Sequence, residues 1–315
     1  MKSERPVLVI LAAGLGRRYG GLKPLAPIGA RGEAIIDLSV RDAIDAGFGS
    51  VVLVVRPEIE ATLGYHVKRC WPTNLDVELV RQDAARASLA YGAPGDQGSA
   101  GGRAPLGTAP AVLSTRALLD APFGVVNADD LYGTASYRLL YEHLCRAPDE
   151  VRTHALVGFR LRNTIVGQGP VKRAICEQSE EGFLVAITER TITVAGDGSF
   201  CAVTDDSEAS LTGDELVSVN MWGFLPSIFS VLQAAFDRFI AAGGERDGRE
   251  LLLPDVVGEM VADPLGEQVR VLATQGRCIG VTHGADLTAV REEVETLVSQ
   301  GVIPDPLWAG HRVLA

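Results

Sequence analysis

A chain of 315 residues, 47% of them hydrophobic, is long enough for one large α/β core or for a core with a smaller lobe. Its 40 acidic and 29 basic residues give a formal net charge of −11, which excludes a global attraction to nucleic acid or to an anionic membrane. Five scattered cysteines without a CxxC pair indicate neither a zinc site nor a disulfide framework, and no apolar stretch has the length of a membrane span. We therefore expect a cytoplasmic protein in which any anionic ligand is held by a local group of cations.

The first half of the chain alternates predicted strands and helices. Short apolar runs predict buried strands at 7–12, 51–55, 77–80 and 123–127. Helical spacing predicts a helix over 35–46 that stops at Gly47, a second helix after Pro57, and a third from a capping Thr108 to about residue 119. This alternation predicts an α/β fold with a doubly wound, mostly parallel sheet.

The pattern changes after about residue 150. Apolar runs predict strands without long helices between them, at 155–162, 171–176, 183–188 and 191–194. These strands predict a smaller, mostly antiparallel lobe, and the polar segment 204–214 predicts a loop. Amphipathic helices are predicted near the end of the chain, at 227–242 and 285–298.

A glycine-rich turn follows the first predicted strand, and it carries arginine and lysine residues. Such a turn exposes backbone N–H groups to a phosphate, and Arg18 and Lys23 add positive charge. The dinucleotide-binding pattern GxGxxG fails, because Tyr19 stands in place of its third glycine. The Walker pattern also fails, because Leu22 follows Gly21 where that pattern requires lysine.

The segment Leu11–Gly29 resembles the signature LAAGxGxRxGxxKxLxPxG of the sugar-phosphate nucleotidyltransferases. The resemblance extends over about residues 7–300. The segment 106–109 is similar to the family's base-contacting element, and 126–133 is similar to its strand-end metal motif. The segment 188–190 is similar to its sugar-phosphate side, and 217–224 is similar to a later active-site strand. It implies a Rossmann-like nucleotidyltransferase fold in one domain, 1–315. Within it the resemblance implies a nucleotide-binding part, a sugar-phosphate-binding lobe and a completing C-terminal part, at 1–150, 151–225 and 226–315.

The resemblance also implies a role for each matching residue. The residues expected to bind the nucleotide are Leu11, Ala13, Gly14, Gly16, Gln82, Gly107 and Thr108. The expected catalytic residues are Arg18, Lys23 and Asp129. Arg18 would hold the leaving pyrophosphate, Lys23 would contact the reacting phosphoryl group, and Asp129 would bind Mg²⁺. The acceptor is expected to contact Gly169, Glu189, Arg190 and Asn220, and Asp286 is the candidate for a second metal ligand. Asp130 is expected only to cap the next helix.

The implied activity is a magnesium-dependent transfer of a nucleoside monophosphate from a nucleoside triphosphate to a sugar 1-phosphate. Two alternatives remain open: transfer to a non-sugar phosphate such as a polyol phosphate, and a catalytically silent regulator that binds a nucleotide sugar. The expected partners are the two small-molecule substrates, with neither nucleic acid nor a membrane, and a homo-oligomer is compatible with the sequence. The base, the acceptor and the role of the Gly- and Ser-rich insertion 84–103 are open.

Overall fold

The structure is a computed structural model that describes most of the chain. The described ranges are 5–14, 21–82, 106–146, 153–165, 169–203, 208–280 and 286–313. Its helices are α1 (Ile35–Ala46), α2 (Pro57–Cys70), α3 (Thr108–Leu113), α4 (Thr134–Leu144), α5 (Ile228–Ala241), α6 (Leu253–Ala262) and α7 (Asp286–Ser299). Its strands are β1 (Val7–Leu11), β2 (Ser50–Val55), β3 (Asp76–Arg81), β4 (Phe123–Asn127), β5 (Asp130–Leu131), β6 (His154–Arg160), β7 (Val171–Gln178), β8 (Leu184–Val194), β9 (Phe200–Val203), β10 (Glu208–Leu211), β11 (Leu216–Phe224), β12 (Val269–Thr274) and β13 (Ile279–Gly280).

Within the described ranges, eleven strands form one mixed sheet, and β5 and β13 form a separate two-stranded ribbon. The parallel part has the order β4-β1-β2-β3, so that Leu11 lies between Asn127 and Val54. Strand β11 pairs antiparallel with β4 and connects this part to β7, β8, β9 and β10. The predicted combination of a parallel α/β sheet with antiparallel strands is confirmed, and the antiparallel strands continue the same sheet.

Strand β1 is buried on both faces, as its continuous apolar run predicts. Val9 packs in one core cluster with residues of α5 and α6, whereas Leu8 and Ile10 pack in the other with residues of α1 and α4. Parallel strands covered by helices on both sides place their carboxyl ends at a common edge, where α/β proteins bind ligands. None of the helices in the described ranges combines the length and apolar character needed to cross a lipid bilayer.

Two predictions for the antiparallel region are wrong. The runs 183–188 and 191–194 belong to one strand, β8, whose pairing with β7 continues through Glu189 and Arg190. The charged pair interrupts the apolar pattern but not the backbone ladder. The segment predicted as a loop at 204–214 contains β10, which pairs with β9 although its side chains are largely exposed.

One predicted helix end and two capping predictions are also wrong. Helix α3 ends at Leu113 instead of near residue 119, and the hydroxyl groups of Ser114 and Thr115 donate to carbonyl oxygens three residues earlier, a local bond that competes with helix continuation. Thr108 is the first residue of that helix and accepts a hydrogen bond from the Leu253 N–H at 2.8 Å, so it does not cap it. Asp130 lies in β5, and Gly133 is the N-cap of α4.

Candidate functional site

The carboxyl ends of β1 and β4 bring the first-turn motif next to the strand-end acid. Leu11 and Asn127 are register partners, and each is the last residue of its strand. A short 3₁₀ turn, Lys23–Leu25, follows the glycine-rich segment and places Lys23 Nζ 2.5 Å from Asp129 Oδ2. Two residues that the sequence motifs single out, about a hundred positions apart, therefore form one half-buried ion pair.

A row of hydrogen bonds runs from the acidic strand end to β11. Asn127 Nδ2 donates to Asp130 Oδ2 at 2.9 Å, and Asn220 Nδ2 donates to Asn127 Oδ1 at 2.7 Å. Trp222 Nε1 in turn donates to Asn220 Oδ1 at 2.7 Å. These contacts fix the orientation of both amides, because each amide oxygen accepts and each amide nitrogen donates.

Asn220 lies in an unusual backbone conformation. Its φ of +66° is the one positive value for a residue other than glycine in the part of the chain that the structure describes. The pairing of β11 with β6 shifts register between Ser218 and Trp222, which is a bulge around Asn220. Bulges redirect side chains beside active sites, and asparagine tolerates the left-handed region better than most residues. The bulge thus presents the Asn220 amide to Asn127.

Asp130 has an environment different from that of Asp129. Burial raises the pKa of Asp130 to about 6, and the neighbouring Asp129 charge contributes to this increase. The hydrogen bond that Asp130 accepts from Asn127 lowers the pKa in part. The Tyr132 hydroxyl donates to the Val219 carbonyl oxygen at 3.0 Å and accepts from the Asn127 N–H at 3.0 Å. The strand end therefore presents two adjacent carboxyl groups, and the raised pKa means that Asp130 binds a proton more readily than an exposed aspartate does.

A cavity of about 200 Å³ extends from this strand end to the antiparallel strands. Polar side chains from both regions line it, including Thr108, Asn127, Asp130, Lys172, Glu189 and Asn220. Lys172 Nζ donates to Glu189 Oε1 at 2.9 Å across β7 and β8. Arg173, also in the lining, donates instead to the carbonyl oxygen of Thr164 at 2.6 Å and to its hydroxyl at 3.0 Å. The cavity thus has a carboxyl wall and a wall with cationic groups.

Two of the predicted base-contacting residues, Gln82 and Gly107, lie together at the start of α3. Gln82 Nε2 donates to the Gly107 carbonyl oxygen at 3.0 Å. Gly107 has a φ of +107°, and a Cβ there would collide with the Leu251 backbone. Gly107 is thus required both by its backbone conformation and by this close approach. At the first turn, Ala13 is buried, and the space around the Cβ position of Gly14 is open.

Other predicted residues are not brought into the cavity lining. Arg190 is the residue after Glu189 in a regular part of β8, so its side chain leaves the opposite face, and it is absent from the described lining. Gly169 also lies outside that lining. Gly16 and Arg18 fall outside the described residues, as does the segment 281–285. Asp286 begins α7, six positions after Gly280, which pairs with Asp130.

Sequence reasoning missed three members of the site. Lys172 and Asn127 line the cavity, and Asp130 is a lining residue rather than a helix cap. Asn127 stands in the strand-end motif itself, so its position at the end of a buried run was a usable signal. Lys172 had no such signal, because its proximity to Glu189 depends on the pairing of two antiparallel strands.

Residues 8–93 match a family model described as the MobA-like NTP transferase domain. This part includes β1, the first-turn motif, β2 and β3. Comparison with curated proteins gave no significant match. The first-turn motif therefore lies in a segment that is similar to this family of NTP transferase domains.

Several solved structures have a similar fold over almost the whole chain. One is the inositol-1-phosphate CTP transferase from T. maritima, with 13% identity and a TM-score of 0.62 over 95% of this chain and 98% of that chain. Another is a UTP-bound UGPase from Acinetobacter baumannii, with 15% identity and a TM-score of 0.57 over 92% and 93%. A UDP-glucose pyrophosphorylase complexed with UDP-glucose has 15% identity and a TM-score of 0.58 over 94% and 99%. The chain thus has the nucleotidyltransferase fold, and the family resemblance inferred from the sequence is confirmed.

Proposed function

We propose that this protein is a magnesium-dependent enzyme that transfers a nucleoside monophosphate from a nucleoside triphosphate to a sugar 1-phosphate and releases pyrophosphate. The observation that carries the proposal is the Lys23–Asp129 pair, at 2.5 Å, beside a polar cavity whose far wall holds Lys172 and Glu189. The proposal is supported because cations suited to phosphate, a carboxylate suited to a metal and a polar space suited to an acceptor lie close together.

The proposed reaction asks for charge neutralisation rather than for a general base. An acceptor phosphate oxygen forms a bond to the α-phosphorus, the bond from that phosphorus to the bridging oxygen breaks, and pyrophosphate leaves. The nucleophile is already an anion, so no side chain has to remove a proton. Lys23 would bind the α-phosphoryl oxygens where negative charge accumulates, and Arg18, by the family resemblance, would hold the pyrophosphate.

The strand-end carboxyl groups fit a magnesium ion. The described residues contain no group of three or more acidic, histidine or cysteine ligands. Magnesium typically uses one or two carboxylates and takes its other ligands from phosphates and water, so Asp129 with its neighbour Asp130 suffices. When bound, the ion supplies neutralisation of the phosphate oxygens. Asp286 stays our candidate for another ligand, because its helix follows the ribbon strand paired with Asp130.

For the acceptor phosphate, the geometry favours Lys172 over Arg190. The Lys172 ammonium lies in the cavity beside Glu189, whereas Arg190 extends from the opposite face of β8. A phosphate displaces one bond of the ammonium and leaves Glu189 to accept from an acceptor hydroxyl. The family's arrangement of a glutamate followed by a cation is thus replaced here by a cation on the neighbouring strand.

The size of the cavity limits what it accepts. Its volume of about 200 Å³ lies below the range of about 300–1,000 Å³ typical of drug-sized ligand sites, so it suits one phosphorylated ring. A sugar 1-phosphate and a cyclic polyol phosphate both meet this limit. The similarity in fold to the inositol-1-phosphate CTP transferase favours a polyol phosphate as the second candidate acceptor.

The test is pyrophosphate release with Mg²⁺, using ATP, GTP, CTP, UTP or dTTP with glucose 1-phosphate, mannose 1-phosphate, inositol 1-phosphate or phosphocholine. We expect release with a restricted set of pairs and its loss in Asp129→Ala. The exposed Asp76 begins β3, at the opposite edge of the sheet, so Asp76→Asn is the matched control and should retain the rate. Absence of release from every pair, together with tight binding of UDP-glucose, would instead support a silent regulator.

A further inference from the structure

A second cavity, of about 270 Å³, lies on the other side of the β5–β13 ribbon. Its walls come from α1, the turn before α4, the loop before β13, α7 and the tail after α7. Most of the lining is apolar, with Leu38, Leu131, Ile279, Leu297, Ile303 and Leu307. It shares no lining residue with the catalytic cavity. The proposed transfer reaction therefore makes no use of this space.

Arg41 is the cationic group in this lining with an unused hydrogen-bond donor. Its Nε forms an ion pair with Asp45 Oδ2 at 3.0 Å, but neither this Nε nor the buried Nη1 makes a hydrogen bond within the described part of the chain. The other charged lining residues are engaged: Arg277 pairs with Glu293, and Asp42 accepts from the Thr134 hydroxyl. A buried donor without a partner is costly, so an acceptor group on a ligand would be stabilised at Arg41.

The two cavities have a common wall. In β5, Asp130 lines the catalytic cavity and the next residue, Leu131, lines the second cavity. In β13, Ile279 pairs with Leu131 and also lines the second cavity, while Gly280 pairs with Asp130. Any Cβ at Gly280 would collide with the Asp130 carboxylate, so the ribbon and the acid are closely packed. A displacement of Leu131 or Ile279 is thus transmitted to Asp130 over one residue.

We propose that the second cavity is a regulatory site for a small molecule with an apolar body and one carboxylate or carbonyl group, which bonds to Arg41 and shifts the β5–β13 ribbon. The apolar lining buries the body, and the guanidinium donates a hydrogen bond to the oxygen at the polar end. Binding stands independently of the proposed transferase activity, whereas the regulatory consequence rests on it. Helix α7 lines the second cavity and begins at Asp286, the candidate metal ligand. A ligand that displaces α7 would therefore affect the catalytic cavity by a second route.

The binding test uses 1-naphthoate as the probe and 1-naphthylmethylamine as its cationic counterpart, both measured by calorimetry on the full chain. We expect naphthoate to bind at least about tenfold more tightly than the amine, the effect of one charge-assisted hydrogen bond. Val302→Trp should narrow the cavity from its exposed rim and weaken naphthoate at least about tenfold. Leu265→Trp, at a residue that is 94% exposed and outside the lining, is the matched control.

Arg41→Met tests the proposed hydrogen bond from Arg41 to the ligand, because it removes the guanidinium. Arg41→Lys removes the guanidinium but keeps the positive charge. We expect weaker naphthoate binding in the first and partial recovery in the second, with thermal unfolding showing that both are folded. Equal binding of naphthoate and the amine, or equal affinity in wild type and Val302→Trp, would overturn the site.

Hydrogen exchange tests the coupling without reference to activity. Naphthoate should slow amide exchange in β5 and β13, with less change in β9 and β10 at the far end of the sheet. If naphthoate binds but leaves amide exchange in β5 and β13 unchanged, the proposed regulatory effect of the site would be wrong. A protein that binds naphthoate and shows this protection, yet releases no pyrophosphate from any substrate pair, would contradict the proposed function and leave this site standing.

Discussion

The two walls of the candidate site hold their charges in different ways. On the proposed nucleotide side, Lys23 lies in the 3₁₀ turn after the glycine-rich segment and Asp129 lies just after the buried strand β4, and their side chains are 18% and 31% exposed. On the proposed acceptor side, Lys172 and Glu189 stand on the antiparallel strands β7 and β8, and their side chains are 71% and 36% exposed. The core fixes the first pair, whereas the second has room to rearrange around a ligand. Under the proposed function, this contrast favours common phosphoryl chemistry on the nucleotide side and acceptor selection on the other.

The largest expected effect is on the nucleotide side. Asp129→Ala and Lys23→Met should each lower kcat by about 100- to 1,000-fold, because each removes a charge that acts on the reacting phosphates. The half-buried position of both residues predicts little change in stability. Steady-state pyrophosphate release, with urea unfolding as the control for folding, checks both.

A sharper version of this test uses the magnesium dependence. Asp129→Ala should raise the Mg²⁺ concentration needed for any residual activity, whereas Lys23→Met should lower the rate at an unchanged Mg²⁺ requirement. If Lys23→Met and Asp129→Ala showed the same magnesium profile, the division of roles between them would be wrong.

The next effect belongs to the acceptor side and should appear in KM. Lys172→Met should raise the acceptor KM about 10- to 100-fold, the effect of one hydrogen bond to a charged group, with the nucleotide KM nearly unchanged. Arg190→Met, on the opposite face of the same strand pair, should change it less than about threefold. A larger increase in the acceptor KM from Arg190→Met than from Lys172→Met would instead favour Arg190 as the acceptor-binding cation, as the family resemblance implies.

These two walls also differ in what the sequence reveals. The nucleotide side was predictable because continuous apolar runs end at Leu11 and Asn127, and parallel strands bring such ends to one edge. The acceptor side depends on the register of β7 against β8, and the polar pair Glu189–Arg190 concealed the continuity of β8. No local pattern marks the contact of Lys172 with Glu189.

The bulge at Asn220 was hidden for a related reason. Its segment was predicted to belong to the site, but the positive φ and the bond to Asn127 follow from a register shift between β11 and β6. The second cavity was unpredictable too, because five separate segments form it. Sequence patterns therefore indicate strand ends well, whereas side-chain contacts between distant antiparallel strands require the structure.

Asn220 links the two walls, and its substitution should produce an intermediate effect on stability. Asn220→Ala should destabilise by about 2–3 kcal/mol, because alanine is strained at this φ and the buried Trp222 loses the acceptor of its indole N–H. Asn220→Gly should cost about 1 kcal/mol less, because glycine adopts a positive φ freely. Urea unfolding of both variants measures the difference, and equal losses would mean that backbone strain contributes nothing here.

The smallest expected effect lies outside both walls, at Asp42 in the second cavity. Burial, opposed by the hydrogen bond from Thr134, raises the pKa of Asp42 to about 6. That value lies above the roughly 3.9 of an unfolded aspartate, so the unfolded chain binds fewer protons between these pH values. The contribution of Asp42 to stability is therefore fully present below about pH 4 and falls as the pH rises to about 6.

Asp42→Asn should consequently stabilise the protein at neutral pH. The separation of the two pKa values corresponds to at most about 3 kcal/mol, and we expect about 1 kcal/mol because the half-buried carboxylate keeps some contact with water. The gain should disappear near pH 4, where the wild-type group is largely protonated in the folded state. Urea unfolding across this pH range measures it, with Asp76→Asn as the exposed control. A gain that is independent of pH would point to better packing of the amide rather than to removal of a buried charge.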